Sequence, residues 1–430
     1  MQTVALREEV RRKIEEIGRA DIVVGIPSYN NAGTIGHVVR AVQAGLAKYF
    51  PDARSVIINS DGGSTDGTTD MVSTTTIDDL RTILVSNRSE PVFYTITTPY
   101  HGIPGKGSAF RTIIEIADAL EASACAVVDA DLRSITPEWI ELLVKPALED
   151  FDYVVPLYRR HKYDGTITNS IVYPLTRALY GKQVRQPIGG DFGFSRRMAK
   201  FYLSKDVWDS DVARYGIDIW MTTTAIANGF RICQAFLGAK IHDPKDPGTD
   251  LSSMLYQVVG ATFGLMETYQ DTWKSITGSE KIFTFGFPYD VGLEQVLVNV
   301  RGMIDRFRLG ARELADLWRM FLGEEIVSFL GGLTAAREED FRLPDDVWSE
   351  IVYRFAIAAH REIINKEHLL KSLTPLYMGR TASFVMETAE SGLPEVEEKI
   401  GDLCRTFERK KAFLLEAWDA SAEQGGFLPP

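Results

Sequence analysis

The chain has 430 residues, enough for two or three domains or for one large domain with an appended one. Hydrophobic residues make up 45% of it and charged residues 25%, the balance of a soluble protein with substantial cores, and the formal net charge is −12. That acidic balance argues against a general nucleic-acid binder, which needs clustered Lys and Arg on phosphates, but it leaves room for a small anionic substrate in a local basic pocket.

The N-terminus Met1-Gln-Thr-Val-Ala-Leu-Arg is charged and lacks an apolar segment, so it does not read as a secretory signal. Glu8 to Ile17 reads as a charge-rich amphipathic helix, and Asp21 to Pro27 as a buried strand ended by proline. Ser28 to Gly33 is a loop, and Thr34 is a candidate cap for a helix running to about Tyr49. A second strand over Arg54 to Asn59 runs into the turn-rich loop Ser60-Asp-Gly-Gly-Ser-Thr-Asp-Gly67. A helix follows, then a strand over Thr82 to Val85, then the loop Gly102-Ile-Pro-Gly-Lys-Gly107 leading into another helix. Ala124 to Asp129 is a further strand. Strands alternating with helices predict an α/β fold, a mostly parallel sheet covered on both faces. In such sheets ligands bind beyond the carboxyl ends of the strands, and each polar loop named above follows a strand.

After about Asp250 the strand signals largely vanish. Ser252 to Ser275, Val291 to Leu322, Asp346 to Arg361 and Glu395 to Trp418 carry helical periodicity, and Arg337 to Pro344 is the most linker-like stretch. The expected division is therefore an α/β part over 1–250 and a mainly helical remainder over 251–430, whose apolar stripes read as core or subunit interface. No apolar run approaches the roughly 18 residues of a membrane span. Cys125, Cys233 and Cys404 form neither a disulfide framework nor a thiolate zinc motif; they read as small buried residues in a reducing, cytoplasmic setting.

Three acid pairs have one residue between them: Asp129/Asp131, Asp150/Asp152 and Asp209/Asp211. Context separates the first, because an apolar strand delivers it to the sheet rim, where paired carboxylates suit a hard divalent cation that neutralises a diphosphate. The alternative is a solvated strand end. The glycines of 60–67 permit close approach of backbone to a ligand, and Asp61 could accept hydrogen bonds from a base or ribose; an ordinary turn is the competing account. Gly105-Lys-Gly107 opens a helix whose N–H groups, with Lys106, favour an anion. His242 is structural unless the fold returns it to the Asp131 rim. Asp218, set among apolar neighbours, could orient a hydroxyl group or could simply cap a helix.

Taken in order, these motifs resemble the GT-A nucleotide-diphospho-sugar glycosyltransferases: Ile26-Pro-Ser-Tyr-Asn30, Asn59 to Gly67 and Asp129-Ala-Asp131 match their first loop, nucleoside loop and metal motif. Gly105-Lys-Gly107, Tyr158-Arg-Arg160, Gln186-Pro-Ile-Gly-Gly190, Gly216-Ile-Asp218 and His242 narrow it. Their order resembles the retaining synthases of glucosylglycerate, glucosyl-3-phosphoglycerate and mannosylglycerate.

The resemblance implies a GT-A fold, with 1–250 as the nucleotide-sugar-binding and catalytic domain and 251–430 as an acceptor-site cover or dimer interface, and a donor such as UDP-glucose, GDP-glucose or GDP-mannose, with glucose favoured. It implies D-glycerate or 3-phosphoglycerate as acceptor, and a compatible-solute glycoside as product. Pro27, Tyr29, Asn30, Asp61, Asp129 and Ala130 would hold the nucleoside, and Lys106 the diphosphate. Asp131 and His242, with Asp129 in support, would hold Mg²⁺ or Mn²⁺. Gln186, Pro187, Gly189, Gly190, Arg185, Arg159 and Thr166 would line the sugar and acceptor site, and Asp218 would sit at the acceptor hydroxyl. Asp191 stands where relatives often carry Glu. The expected partners are small molecules and a second copy of the chain, with no nucleic acid and no membrane span. A processive polysaccharide synthase would need membrane spans and a Gln-x-x-Arg-Trp segment. A nucleotidyltransferase would need a Gly-rich, Arg-containing loop where Ser28-Tyr-Asn30 stands. A non-catalytic nucleotide-sugar scaffold is the reading from another class.

Overall fold

The structure is a computed structural model describing residues 6–75, 93–241, 251–289, 292 and 296–420. The chain forms two compact units. One comprises Met1–Arg159, Gln186–Asp243 and Ile282–Glu294; the other comprises Arg160–Arg185, Pro244–Lys281 and Gln295–Pro430. The chain passes between the two units several times. Residues 160–185 fold as a π-helical turn, Thr168–Val172, followed by the helix Tyr173–Tyr180, which packs on the C-terminal helix Leu393–Asp419. Thr284–Phe285 return to the sheet as an edge strand.

Eight described strands build the first unit: β1 (Ile22–Ser28), β2 (Ser55–Asp61), β3 (Phe93–Pro99), β4 (Ala124–Val127), β5 (Tyr153–Arg159), β6 (Phe192–Ser195), β7 (Ile232–Ala239) and β8 (Thr284–Phe285). They lie in one sheet in the order β3-β2-β1-β4-β6-β5-β7-β8. Only β6 runs against its neighbours, β4 and β5. The mostly parallel α/β sheet expected from the alternation is what the chain adopts, and buried apolar runs such as Ile22-Val-Val24 are what a strand covered on both faces requires. On one face Ile22, Val24 and Ile26 meet Val38, Val42, Trp139 and Ile140. On the other the helix Lys106–Ala119 crosses β1 closely: a Cβ at Gly25 would lie 2.4 Å from the Ile113 side chain.

The predicted helices 8–17 and 35–49 form as Glu8–Ile17 and Ile35–Tyr49. Thr34 does not cap the second with its side chain; its hydroxyl donates to Ala130 O at 2.8 Å, tying this loop to the strand end that carries Asp129 and Asp131. The strand predicted over Thr82–Val85 lies outside the described residues, and Phe93–Pro99 is a strand the periodicity did not single out.

The second unit is helical. Its helices include Leu251–Thr268, Val300–Glu313, Glu324–Thr334, Asp345–His360, Lys366–Glu387 and Leu393–Asp419. The helix Lys366–Glu387 has buried residues all around it, so no amphipathic stripe advertised it. It crosses Val300–Glu313 at two glycines: a Cβ on Gly310 would sit 2.3 Å from Pro375, and one on Gly379 would sit 2.5 Å from Phe307. Arg337 to Pro344 is no linker, because Phe341 and Leu343 are fully buried and Leu343 N–H donates to Ser383 Oγ. No helix among the described residues is long and apolar enough to cross a membrane. Cys125, Cys233 and Cys404 are buried free thiols, and burial pushes all three upward in pKa, Cys404 to about 12.

In the middle of the sheet, β6 passes directly under the helix Pro137–Glu149, so that a Cβ on Gly193 would lie 1.9 Å from the Leu143 carbonyl oxygen. Backbone cannot move aside as a side chain does. Gly193→Ala is expected to destabilise the protein by about 2 kcal/mol or more, read as a lower urea midpoint at unchanged activity per folded molecule.

Candidate functional site

The carboxyl ends of β1, β2 and β4 bring the first set of expected residues to one rim. Ser28 and Asp61 end their strands in register, and Ser28 Oγ donates to Asp61 Oδ1 at 2.9 Å. The two loops then clasp each other. Asn30 N–H donates to Ser64 Oγ, Thr65 N–H donates to Asn30 Oδ1, and Ala32 N–H donates to Asp66 Oδ2. Asn30 adopts the left-handed φ of 55° that this clasp needs, a conformation Asn tolerates better than most residues. Tyr29 is left 64% exposed at the rim, with Pro27 just below in β1.

Asp61 itself requires a correction. Its carboxylate accepts from Ser28 Oγ, Gly63 N–H, Ser64 N–H and Ser64 Oγ, all within 2.9 Å. A carboxylate has about four acceptor positions, so this one shapes the loop rather than presenting open oxygens to a base.

The second set converges beyond β4. Asp129 Oδ1 pairs with Lys106 Nζ at 2.8 Å, and its Oδ2 pairs with Lys240 Nζ at 2.7 Å. Lys240 also donates to Asp191 Oδ2 and to Gly189 O, each at 2.8 Å. Asp191 takes the Asp129 N–H on Oδ1 at 2.7 Å and a short hydrogen bond from the Tyr158 hydroxyl on Oδ2. Asp218, in the first turn of the helix Ile217–Ala227, brings Oδ1 to 3.4 Å from Lys106 Nζ. That approach is within ion-pair reach but is not directed as a hydrogen bond, and Asp218 Oδ1 is a buried oxygen with no hydrogen-bond partner among the described residues.

Two ammonium groups therefore face three carboxylates, with Lys240 and Asp191 buried and Lys106 and Asp129 partly exposed. Burial pushes Asp129 upward, but Lys106 and Lys240 override it and hold the carboxyl well below the usual range. Burial works against the charge of Lys106 too, and Asp129 and Asp218 reverse it, so the ammonium persists far above neutral pH. Asp218 differs: burial raises it first, Asp129 raises it further, and Lys106 compensates only in part, leaving it above the ordinary carboxylate value.

The glycine motifs have steric causes here. Gly190 holds φ at 92°, and a Cβ on it would lie 2.3 Å from Asp129 Oδ2; a Cβ on Gly189 would lie 2.2 Å from Pro156. Gly107 packs on the backbone of Val212, and its N–H donates to Arg214 O. The Gly107 N–H expected to favour an anion is thus already bonded, and the cation at this helix start is the Lys106 side chain. Gln186 is likewise corrected: its amide bonds both N–H and C=O of Tyr158, extending β5's backbone pairing rather than facing a ligand. Pro187 accepts Thr222 Oγ1 through its carbonyl.

Arg185 and Thr166, expected at the acceptor, belong to the helical unit. Arg185 forms a two-pronged pair with Glu397 and a third bond to Asn169, and Thr166 Oγ1 bonds Tyr377 Oη. Their polar groups serve that unit's own packing. Arg159 ends β5, and its carbonyl accepts Lys240 N–H.

Both oxygens of Asp129 are held by ammonium groups, so in this structure it bridges two lysines. Among the described residues no three His, Cys, Asp or Glu side chains converge as a metal site, and His242 lies outside them. Asp131, half-buried four residues beyond the end of β4, makes no ion pair among the described residues. One carboxylate suits a cation that takes its other ligands from phosphate oxygens and water, as Mg²⁺ does. Sequence reasoning missed Lys240 as a site residue. Its only signal was a lysine at the end of an apolar strand, two residues before His242.

Residues 63–263 match the family described as mannosylglycerate synthase, GT domain, and the resemblance to GT-A glycosyltransferases of this kind is borne out there. No curated protein matches the chain. Among solved structures, the chain is similar to glucosyl-3-phosphoglycerate synthase from Mycobacterium tuberculosis in complex with Mn²⁺, uridine diphosphate and phosphoglyceric acid. That alignment has 23% identity over 59% of this chain and 81% of that one, with a TM-score of 0.44. The same enzyme with Mg²⁺ and uridine diphosphate aligns at 20% identity over 62% and 85%, with a TM-score of 0.44.

Asp218 gives a pH-dependent expectation. Its folded pKa lies above the ordinary 3.8, so the folded chain holds more protons than the unfolded one between those values, and stability falls as pH rises through the folded pKa. The penalty is fully present above the folded pKa. Asp218→Asn should therefore raise the melting temperature there, and the gain should shrink as pH is lowered through the folded pKa toward the ordinary carboxylate range. A gain that is constant with pH would remove the buried charge as its cause.

Proposed function

We propose that the chain is a retaining, metal-dependent hexosyltransferase acting from a nucleotide-diphospho-sugar on a small acceptor that bears a carboxylate or phosphate. The observation that carries this reading is the pairing at the rim of a half-buried Lys106, kept charged by its carboxylate neighbours, with Asp218 Oδ1, 3.4 Å away and without a hydrogen-bond partner among the described residues. One group stabilises an anion and the other accepts a hydrogen bond from a hydroxyl. Glycosyl transfer from a diphosphate needs both.

In this reading the exposed Tyr29 ring stacks on the nucleobase, with Asn30 and the Asp61 loop alongside, and the backbone at Ala130 borders the ribose. Lys106 takes up charge on the departing diphosphate, where a preorganised cation in a dry site is worth most. Asp131, with His242, would hold Mg²⁺ or Mn²⁺, which would supply further charge neutralisation for the leaving group. Asp218 orients the acceptor hydroxyl toward the anomeric carbon. The acceptor oxygen bonds that carbon on the face from which the diphosphate leaves, the carbon–diphosphate bond breaks, and the hydroxyl proton passes to the departing phosphate oxygen. No protein nucleophile is used, and configuration is kept. Arg159, at the end of β5, is the cation we assign to the acceptor's anionic group.

Glucose and D-glycerate or 3-phosphoglycerate are the first donor sugar and acceptors to test, with GDP-mannose as the principal alternative. We further propose a cytoplasmic enzyme, with a homodimer built through the C-terminal helices. The test is a matrix of UDP-glucose, GDP-glucose and GDP-mannose against D-glycerate and 3-phosphoglycerate with Mg²⁺ present, the product's anomeric configuration being read by NMR. One pair should turn over with retention. Inversion would exclude the same-face route, and no transfer from any donor would favour a nucleotide-sugar-binding scaffold.

Excess chelator should abolish turnover, and added Mn²⁺ or Mg²⁺ should restore it. Asp131→Ala should abolish transfer while the circular dichroism spectrum stays that of the wild type. Asp218→Asn should lower kcat by about 10²-fold or more with a much smaller effect on donor affinity, as loss of a group that acts on the acceptor requires.

A further inference from the structure

We infer that Lys240 is a positioning residue for the diphosphate: from within the sheet it holds Asp129 in the one orientation that presents the Lys106 ammonium at the rim. This rests on the donor reading above and extends it to a residue that does not itself touch the donor.

The side chain of Lys240 is 5% exposed, just past the end of β7. An ammonium has three N–H donors, and here three acceptors surround it: Asp129 Oδ2, Asp191 Oδ2 and Gly189 O, at 2.7, 2.8 and 2.8 Å. With its donors so engaged, its influence on a ligand runs through what it holds. It holds Asp129 by one oxygen, and the other oxygen of the same carboxylate holds Lys106 at 2.8 Å. The Asp129 backbone is fixed to the same anchor, because its N–H donates to Asp191, whose other oxygen Lys240 shares with Tyr158. Turning the Asp129 carboxylate would break an ion pair where there is little water to replace it. The glycine at 190 is part of the device, since a Cβ there would meet Asp129 Oδ2 at 2.3 Å and Lys240 Nζ at 2.9 Å.

Without Lys240, Asp129 and Asp191 become neighbouring carboxylates with no cation between them. Asp129 turns away, and Lys106 loses the partner that aims it. A lysine serving only to keep the sheet folded would predict something else: a loss of all ligand binding in parallel, or a loss of folded protein.

The test is binding by titration calorimetry with Mg²⁺ present, using UDP against UMP and GDP against GMP, on the full chain and on Lys240→Met. For the base that the wild type accepts, Lys240→Met should weaken the diphosphate at least 10-fold and the monophosphate less than 2-fold, because Lys106 acts on the terminal phosphate. Asp191→Asn in the Lys240→Met chain should recover part of that loss, since the amide removes the repulsion and offers Asp129 an N–H donor. If Lys240→Met does not fold, this charge-balanced double variant carries the same comparison against Asp191→Asn alone. Equal weakening of diphosphate and monophosphate, or wild-type affinity for both, overturns the positioning role. A wild type that binds neither UDP nor GDP overturns the donor reading, and the inference with it.

Discussion

The chain of alternating charges Lys106, Asp129, Lys240 and Asp191 is the constraint around which the first unit is arranged. A buried ion pair gains little over a well-packed apolar pair, but removing one partner is costly, about 3–5 kcal/mol, because the other charge is stranded. Each member therefore commits its neighbours. Lys240 requires that β7 end beside β5, so that Gly189 O and Asp191 can reach it. Asp129 requires that β4 stop at Val127 and turn toward them. Tyr158 completes Asp191 from inside β5. An antiparallel β6 between β4 and β5 is what delivers Asp191 next to Asp129.

Glycine is the second requirement, and its reason is proximity. At Gly190 the carboxylate of Asp129 occupies the space a side chain would need, at Gly107 a carbonyl of the neighbouring segment does, and at Gly25 the Ile113 side chain does. These residues let the helix that starts at Lys106 and the loop that precedes β6 approach the strand ends closely. The consequence is chemical: Lys106 and Asp218, from two different helices, come within 3.4 Å of each other. Asp218 is the least compensated member of the group, with its carboxyl pushed upward first by burial and then by Asp129. A site of this kind sacrifices some stability for a group that can bind a hydroxyl.

The helical unit has a different logic. Its helices meet through small residues, with Gly310 against Pro375 and Gly379 against Phe307, and its buried cations are each anchored by acceptors. Arg380 lies on Leu343 O and Asp345, and Lys411 on the carbonyls of Trp273 and Ile276. Arg185 and Thr166 follow that pattern, which is why a basic residue that looked substrate-facing in the linear order is bound to Glu397.

Local pattern was enough for what depends on neighbours in the chain. The apolar strands at 22–28 and 124–127, the helices at 35–49 and 393–419, the mostly parallel sheet and the rim carrying Asp61, Lys106 and Asp129 follow from periodicity and from loops placed after strands, whereas Asp218 is placed there only by the resemblance. Tertiary structure alone decided what each polar group faces. Asp61 and Gln186 look like ligand groups in sequence and are saturated by their own backbone surroundings. Asp129 looks like a metal ligand and bridges two lysines, one of them 111 residues away. Lys240, an unremarked lysine at a strand end, proves to be the hub. The physical reason is that a strand or helix reports its burial through side chains adjacent along the chain. The partner of a buried charge is chosen by whichever distant strand ends the fold brings within about 3 Å, and no local pattern encodes that choice.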